Sequence, residues 1–451
     1  MLKNNSEEQK TFDEKETITK IEECFKEYSI LGSITETIMT PFNQNYIFTI
    51  DNIKKANEVK TVKNNLQAEL CAKNITVERY PKKANSFIIS VENEHKKIVG
   101  LKEFVKEKRN ENKLHIPLGK STLIKNEYLD LEKEPFLLIN GQDSSGKTMF
   151  LNSTIIYLLM NYKPSELKLL LIDPKKVELI NYNGVAHLLC PVISKPKEAS
   201  YALQKIVLEM ENRYEIFNEA KVKNINDYNE YLKKENPNLP KLPHTVIIID
   251  ELSDLMITTA NEVEDAIIRI AQKARNTGIH LIIATKRASS DIITSDIKIN
   301  IRTRIAFKTT SAIDSRVILG DIGAENLTSK GDMLYLPMSE NTPTRIQGCY
   351  VSEEEISKVV EHIYKEQKPE YDESLAKQNI ESHDIEEYDD PLYNEIVEFC
   401  LEMGKVSAST LQRKYRLGYN QAARLIELLE ERGIIGPNTG SSKPREVIIK
   451  R

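Results

Sequence analysis

The chain has 451 residues, with 63 Lys and Arg against 68 Asp and Glu and a formal net charge of −5. That length accommodates about three domains with cores of their own, while the near-neutral balance excludes a whole-protein basic field, so any nucleic-acid contact must be local. The polar first twenty residues exclude a secretory signal, and no apolar stretch reaches the roughly 18 residues of a membrane span, so a soluble, cytoplasmic protein is expected. Five widely spaced cysteines, with no C-x-x-C, read as reduced and mostly buried thiols.

In chain order, residues 1–15 read as a disordered tail. Residues 16–105 read as a small α+β module. Ile18, Ile21, Cys24 and Phe25 recur at helical spacing, SITETIMTPF and YIFTID alternate like strands, NIKKANEVKTVKNNLQAELCAKN reads as a helix, and ITVERY and SFIISVEN as strands again. This module carries no catalytic constellation, which suits packing or oligomerisation.

Residues 106–365 read as an alternating α/β motor. The apolar run Phe136–Ile139 is a strand closed by Asn140-Gly141, and MFLNSTIIYLLMNY is a helix. Between them Gly141, Gln142, Asp143, Ser144, Ser145, Gly146, Lys147 and Thr148 match G-x-x-x-x-G-K-[ST], the loop whose backbone amides cradle nucleotide phosphates. Lys147 is expected on the β- and γ-phosphates of ATP and the Thr148 hydroxyl on Mg²⁺. LKLLLID is a buried strand, Glu198–Ala220 a long helix, and TVIIIDELSDLM a strand delivering Asp250 and Glu251 to its C-terminal end. Ligands bind at that end of open parallel sheets, so Asp250 is expected to hold Mg²⁺ and Glu251 to activate water. A helix over Glu262–Asn276 leads to the strand GIHLIIATKR. If that strand lies between the other two, Thr285, Lys286 and Arg287 stand beside the γ-phosphate.

Residues 366–390 hold ten acidic residues against two lysines and read as an acidic linker; residues 391–451 hold ten basic against seven acidic. Three short helices followed by PREVIIK describe a winged helix-turn-helix, with Ser407 as the cap of the second helix. On the third, Asn420, Gln421 and Arg424 share a face suited to base edges, while Leu425, Leu428 and Leu429 face the core. Arg413, Lys414, Arg416 and Lys443 suit DNA phosphates. Protein contact is the alternative use of such a domain.

From Phe136 to Lys450 the chain resembles the FtsK/SpoIIIE family of DNA translocases, through LIDPKKVELINYNGVAHLL, IIIDELSDLM, AQKARNTGIHLIIAT, IKINIRTRIAFK, IDSRVIL, GDMLYLP, GYNQAAR and GSSKPREV. The resemblance implies a hexameric ATPase ring threading double-stranded DNA, with an N-terminal α module, a RecA-like β motor and a γ winged helix reading polar motifs. It implies a role in chromosome partition during cell division or sporulation, with a membrane or divisome partner recruiting the chain to the septum. It further implies that Arg275 or Arg287 acts on a neighbouring subunit's γ-phosphate. Three departures stand out: Lys286 where the family has Gln, Ala288 where it has Pro, and Gln421 where it has Arg. Alternatives are a mobile-element motor for conjugative DNA, a polypeptide pump, against which the winged helix argues, and a non-hydrolysing DNA-binding regulator.

Overall fold

The computed structural model describes residues 2, 14–40, 43–72, 74–80, 83–93, 98–105, 114–121 and 125–376. Beyond these it describes 396–415 except 398 and 402, and then 422, 425, 426, 429, 430, 434–436 and 445–447. Two compact units divide between Ala376 and Lys377. The expected tail falls almost wholly outside the described residues, as does the linker beyond Ala376.

The N-terminal module is a four-stranded antiparallel sheet, with β1 (Gly32–Met39), β2 (Asn43–Ile50), β3 (Ile75–Arg79) and β4 (Ser86–Glu92) in the order β1-β2-β4-β3. A helix, Glu14–Glu27, buries Ile21, Cys24 and Phe25 against it, and Phe25 stacks on Phe48 with ring centroids 4.3 Å apart. The long helix expected from NIKKANEVK onward is broken. Two 3₁₀ turns, Ile53–Lys55 and Val59–Val62, precede a helix of only Lys63–Glu69. The Asn52 side chain accepts from the Lys54 amide, and the β-branched Val59, Thr61 and Val62 crowd an α-turn. The module also ends earlier than residue 105, because Val99, Leu101 and Phe104 pack into the core of the motor.

Among the described residues the motor sheet has nine strands. They are β5 (His115–Ser121), β6 (Asn126–Asp130), β7 (Phe136–Asn140), β8 (Leu167–Ile172), β9 (His244–Ile249), β10 (Ile279–Thr285), β11 (Thr303–Phe307), β12 (Asp332–Leu336) and β13 (Thr344–Gly348), in the order β6-β5-β13-β12-β11-β7-β10-β9-β8. Strands β11, β7, β10, β9 and β8 run parallel, and β12, β13, β5 and β6 continue the sheet antiparallel. Apolar runs without alternation, such as LKLLLI and IHLIIAT, mark strands covered on both faces. The two-residue period then sorts the faces. Leu137, Ile139, Val246, Ile248, Ile282 and Ala284 share a core with the helix Lys147–Asn161; Leu138, Ile247, Ile249, Leu281 and Ile283 share one with Pro196–Glu219 and Ala260–Lys273. Strand β10 lies between β7 and β9.

The helix Glu353–Glu366 opens on a capping box of Ser352 and Glu355. The first part of the acidic stretch then packs on the motor instead of leaving it. Tyr371 Oη accepts from the Gly184 amide at 3.1 Å, the Asp372 amide donates to Leu189 O at 2.7 Å, and Leu375 is buried in the core. Charge occupies the solvent side, and these residues supply the anchors.

In the second unit, a helix Ala408–Tyr415 is capped by Ser407, whose hydroxyl accepts from the Thr410 amide. Strand β14 (Lys405–Val406) pairs antiparallel with β15 (Arg445–Glu446), as a wing requires. Phe399, Val406, Leu411, Ala422, Ile426 and Leu429 form its core, and Leu425 packs against it. No helix among the described residues is long and apolar enough to cross a membrane.

Candidate active site

Strand β7 delivers Gly141 to the C-terminal edge of the sheet, where the loop turns into the helix Lys147–Asn161. Glycine is required at two points. A Cβ on Gly141 would lie 2.6 Å from Phe307 Cβ, and one on Gly146, at φ 123°, would lie 2.5 Å from the Gly331 nitrogen. The Gly331 amide donates to Ser145 O at 2.8 Å and the Gln142 amide to Lys308 O at 2.9 Å, so the turn after Thr328 and the end of β11 brace the cradle. Lys147 Nζ donates to Gly141 O at 2.9 Å, across the loop. Burial lowers the Lys147 pKa, opposed by the charges of Glu251, Asp250 and Asp143.

Asp250 and Glu251 follow β9 at the same edge, and both are buried. Glu251 is held by four donors: Thr285 Oγ1 at 2.6 Å, Ser253 Oγ at 2.9 Å, the Lys286 amide at 3.1 Å and Lys175 Nζ at 3.3 Å. Burial alone would raise its pKa, but the hydrogen bonds from Thr285 and Ser253 and the charges of Lys175 and Lys147 outweigh it and hold the carboxyl below its usual range. Asp250 has no such donors among the described residues. Burial, reinforced by Asp173 and Glu178, pushes it up to about 7.

Lys175 and Glu178 belong to the segment after β8, in which no site residue is expected from the sequence. Asp173, at the end of β8, orders it by accepting from the amides of Lys175, Lys176, Glu178 and Leu179 at 2.9 to 3.1 Å. That tie places Lys175 on Glu251 and Glu178 on Thr148, whose hydroxyl donates to Glu178 Oε1 at 3.2 Å. In the sequence these residues show only as a charged run after a buried strand, inside the stretch LIDPKKVELINYNGVAHLL that carries the resemblance.

Thr148, Asp250 and Glu178 offer hard oxygen donors, and Asp250 is a buried carboxylate with no ion pair among the described residues, which fits Mg²⁺. Among the described residues no three acidic, His or Cys side chains converge as a full metal cage. Mg²⁺ at a nucleotide needs none, since it keeps waters and phosphate oxygens and takes one or two protein ligands.

The remaining predicted residues separate. Arg287 follows β10 on the P-loop side, its amide donating to Thr285 Oγ1 at 3.2 Å. Lys286 reaches over the loop to within 3.9 Å of Asp143 Oδ2. Arg275 precedes β10, at the other end of a seven-residue strand, roughly 20 Å from the site. Arg413 and Lys414 are exposed on the helix Ala408–Tyr415, with Lys414 Nζ 3.6 Å from the Phe399 ring centroid. Arg416, Asn420, Gln421, Arg424 and Lys443 lie outside the described residues.

The Asp250 environment makes a first expectation about stability without nucleotide. In the unfolded chain its carboxyl ionises near the ordinary aspartate value, and in the folded chain near 7. As pH rises through that window the unfolded state gives up its proton first, so folded stability falls, and the full penalty applies above 7. Asp250→Asn, which never ionises, is therefore expected to gain about 4 kcal/mol at pH 8 and only about 1 kcal/mol at pH 4.5. Thermal unfolding in a chelator at both pH values checks this; an equal shift at both would remove the ionisation argument.

The FtsK/SpoIIIE family profile matches residues 101–290, and that of the Ftsk gamma domain matches residues 387–450. The chain is 43% identical over 444 residues to the DNA translocase SpoIIIE of Bacillus subtilis (strain 168), covering 97% of this chain and 56% of that protein. It is 42% identical over 454 residues to the DNA translocase FtsK of Listeria monocytogenes, covering 99% and 60%. It thus spans little more than half the length of these relatives. Among solved structures, the pCW3 conjugation coupling protein TcpA with ATPγS shares the fold, with a TM-score of 0.54 at 22% identity over 77% of this chain and 99% of that one. An α/β motor of RecA-like type with a P-loop, a winged-helix unit following it in the sequence, and two profiles of one family on those same two segments lead to one conclusion: the chain belongs to the FtsK/SpoIIIE family.

Proposed function

We propose that the chain is an ATP-driven translocase of double-stranded DNA, working as a homohexameric ring in chromosome partition. The observation that carries this reading is the convergence of the P-loop, Asp250 and Glu251 at one edge of a parallel sheet in a chain whose relatives are named DNA translocases. In this reading Lys147 leaves the Gly141 carbonyl for the β- and γ-phosphates. Mg²⁺, when bound, neutralises phosphate charge, and Thr148 and Asp250 hold it. Glu251 orients water and takes its proton once a donor lets go. Arg287 serves the site of its own chain. Arg275, at the far end of β10, serves a neighbour's γ-phosphate, where a planar guanidinium stabilises developing charge without deprotonating. The winged-helix unit grips phosphates through Arg413 and Lys414 and reads bases through the helix that follows. Recruitment to the septum by a membrane or divisome partner belongs to the same reading.

The test is ATP hydrolysis with and without long duplex DNA, with subunit stoichiometry measured on the same sample. A rate raised severalfold by duplex DNA, in six-subunit particles, is expected. Hydrolysis indifferent to DNA would remove the translocase, and absent hydrolysis would leave a regulator. Lys147→Ala is expected to bind ATP about 10- to 100-fold more weakly, because it removes a charge-assisted contact to phosphate, as equilibrium titration will show.

A further inference from the structure

A cleft of about 1370 Å³ opens beside the P-loop, and its far wall is not part of the catalytic machinery. Residues 98–101 run parallel to the segment after β13. The Tyr350 amide donates to Val99 O at 2.8 Å, the Leu101 amide donates to Tyr350 O at 3.1 Å, and Gly100 bridges Tyr350. Alternation divides the side chains of both segments. Val99, Leu101, Cys349 and Val351 enter the core, while Ile98, 46% exposed, and Tyr350, 40% exposed, stand on the other face and line the cleft. Across the bridge from Tyr350 stands a glycine, so nothing crowds its ring. Together they offer a flat apolar surface in the same cleft as the phosphate cradle.

Asn93 supplies a second, independent observation. It lines the same cleft, is 2% exposed, and donates through Nδ2 to Thr40 O at 3.1 Å, while its Oδ1 has no hydrogen-bond donor among the described residues. A buried amide oxygen without a donor is unfavourable, and an incoming N–H group would relieve it.

We propose that this wall is the nucleobase subsite. Tyr350 and Ile98 form a shelf on which a purine stacks, and Asn93 Oδ1 accepts from the exocyclic amine of adenine. Guanine presents a carbonyl oxygen at the corresponding position and would leave the Asn93 oxygen unsatisfied, so this contact favours ATP over GTP. The subsite rests on the nucleotide-binding reading of the P-loop and adds to it. It also gives the N-terminal module, otherwise without chemistry, a part in choosing the nucleotide.

Equilibrium titration of the full chain with ATP, GTP and inorganic tripolyphosphate tests it. Tyr350→Ala is expected to weaken ATP about tenfold and leave tripolyphosphate within twofold, with Tyr350→Phe retaining wild-type ATP affinity. Asn93→Leu is expected to bring ATP and GTP within twofold of each other with tripolyphosphate unchanged. Weakening of ATP and tripolyphosphate alike in Tyr350→Ala, or no change in either, would overturn the shelf, and an intact ATP preference in Asn93→Leu would overturn the amine contact. Lys147→Ala in the same series keeps the two readings apart. It should lose tripolyphosphate as well as ATP, and unaltered binding there counts against the P-loop whatever Tyr350 does. A wild-type chain that binds none of the three overturns both.

Discussion

Glu251→Gln is expected to bind ATP with wild-type affinity and hydrolyse it about 10²- to 10⁴-fold more slowly, the range that a positioned general base contributes. The substitution is nearly isosteric. The amide oxygen can still accept from Thr285 and Ser253, so the end of β10 should keep its place. What disappears is the group able to take a proton, together with the charge that holds Lys175. Single-turnover hydrolysis, alongside binding of a fluorescent ATP analogue, separates chemistry from affinity. A wild-type rate would show that another group activates water, and Asp250 would be the first to examine.

The second large effect is structural. Arg345 on β13 pairs with Asp332 on β12 through Nε at 2.9 Å and Nη2 at 2.7 Å, both residues being buried, and Nη1 donates to Thr76 of β3 at 3.1 Å. Burial disfavours the charge of the guanidinium, but Asp332 more than compensates and raises its pKa. Arg345→Met should fill similar volume yet leave Asp332 charged, buried and without its cation, at a cost of about 3–5 kcal/mol. The urea midpoint of the chain reads this loss. Adding Asp332→Asn, which removes the stranded charge while its amide oxygen can still accept from Thr328, should recover more than half of it. A double variant as unstable as the single one would mean that the link to Thr76, not the buried charge, sets the effect.

The parts of the site legible in the sequence are those where chemistry and chain order coincide. The P-loop is eight consecutive residues between an apolar strand and a helix, and Asp250-Glu251 follows four apolar β-formers. The position of β10 between them was a condition that only the sheet could meet. Lys175 and Glu178 were not legible, because their placement depends on one carboxylate, Asp173, collecting four amides of the next turn. Tyr350 was hidden for a related reason: in TRIQGCYV it reads as one more strand residue, and only the neighbouring segment Ile98–Leu101 shows which way it faces. The broken helix near Val59 shows local competition overriding a helical reading, and the anchored stretch at Tyr371–Leu375 shows two apolar side chains overriding net charge.

The four donors around Glu251 bear on how the protein behaves between substrates. A carboxylate that already accepts from two hydroxyls and an amide at Oε1 and from an ammonium at Oε2 is a poor base, and a water approaching Oε2 competes with Lys175. Lys175 is the easiest to displace, because its own side chain is 37% exposed and ends at the longest of the four contacts. With Glu251 as the proposed base, the loop that Asp173 pins down is the site's clutch: moving Lys175 away frees a carboxylate oxygen for water.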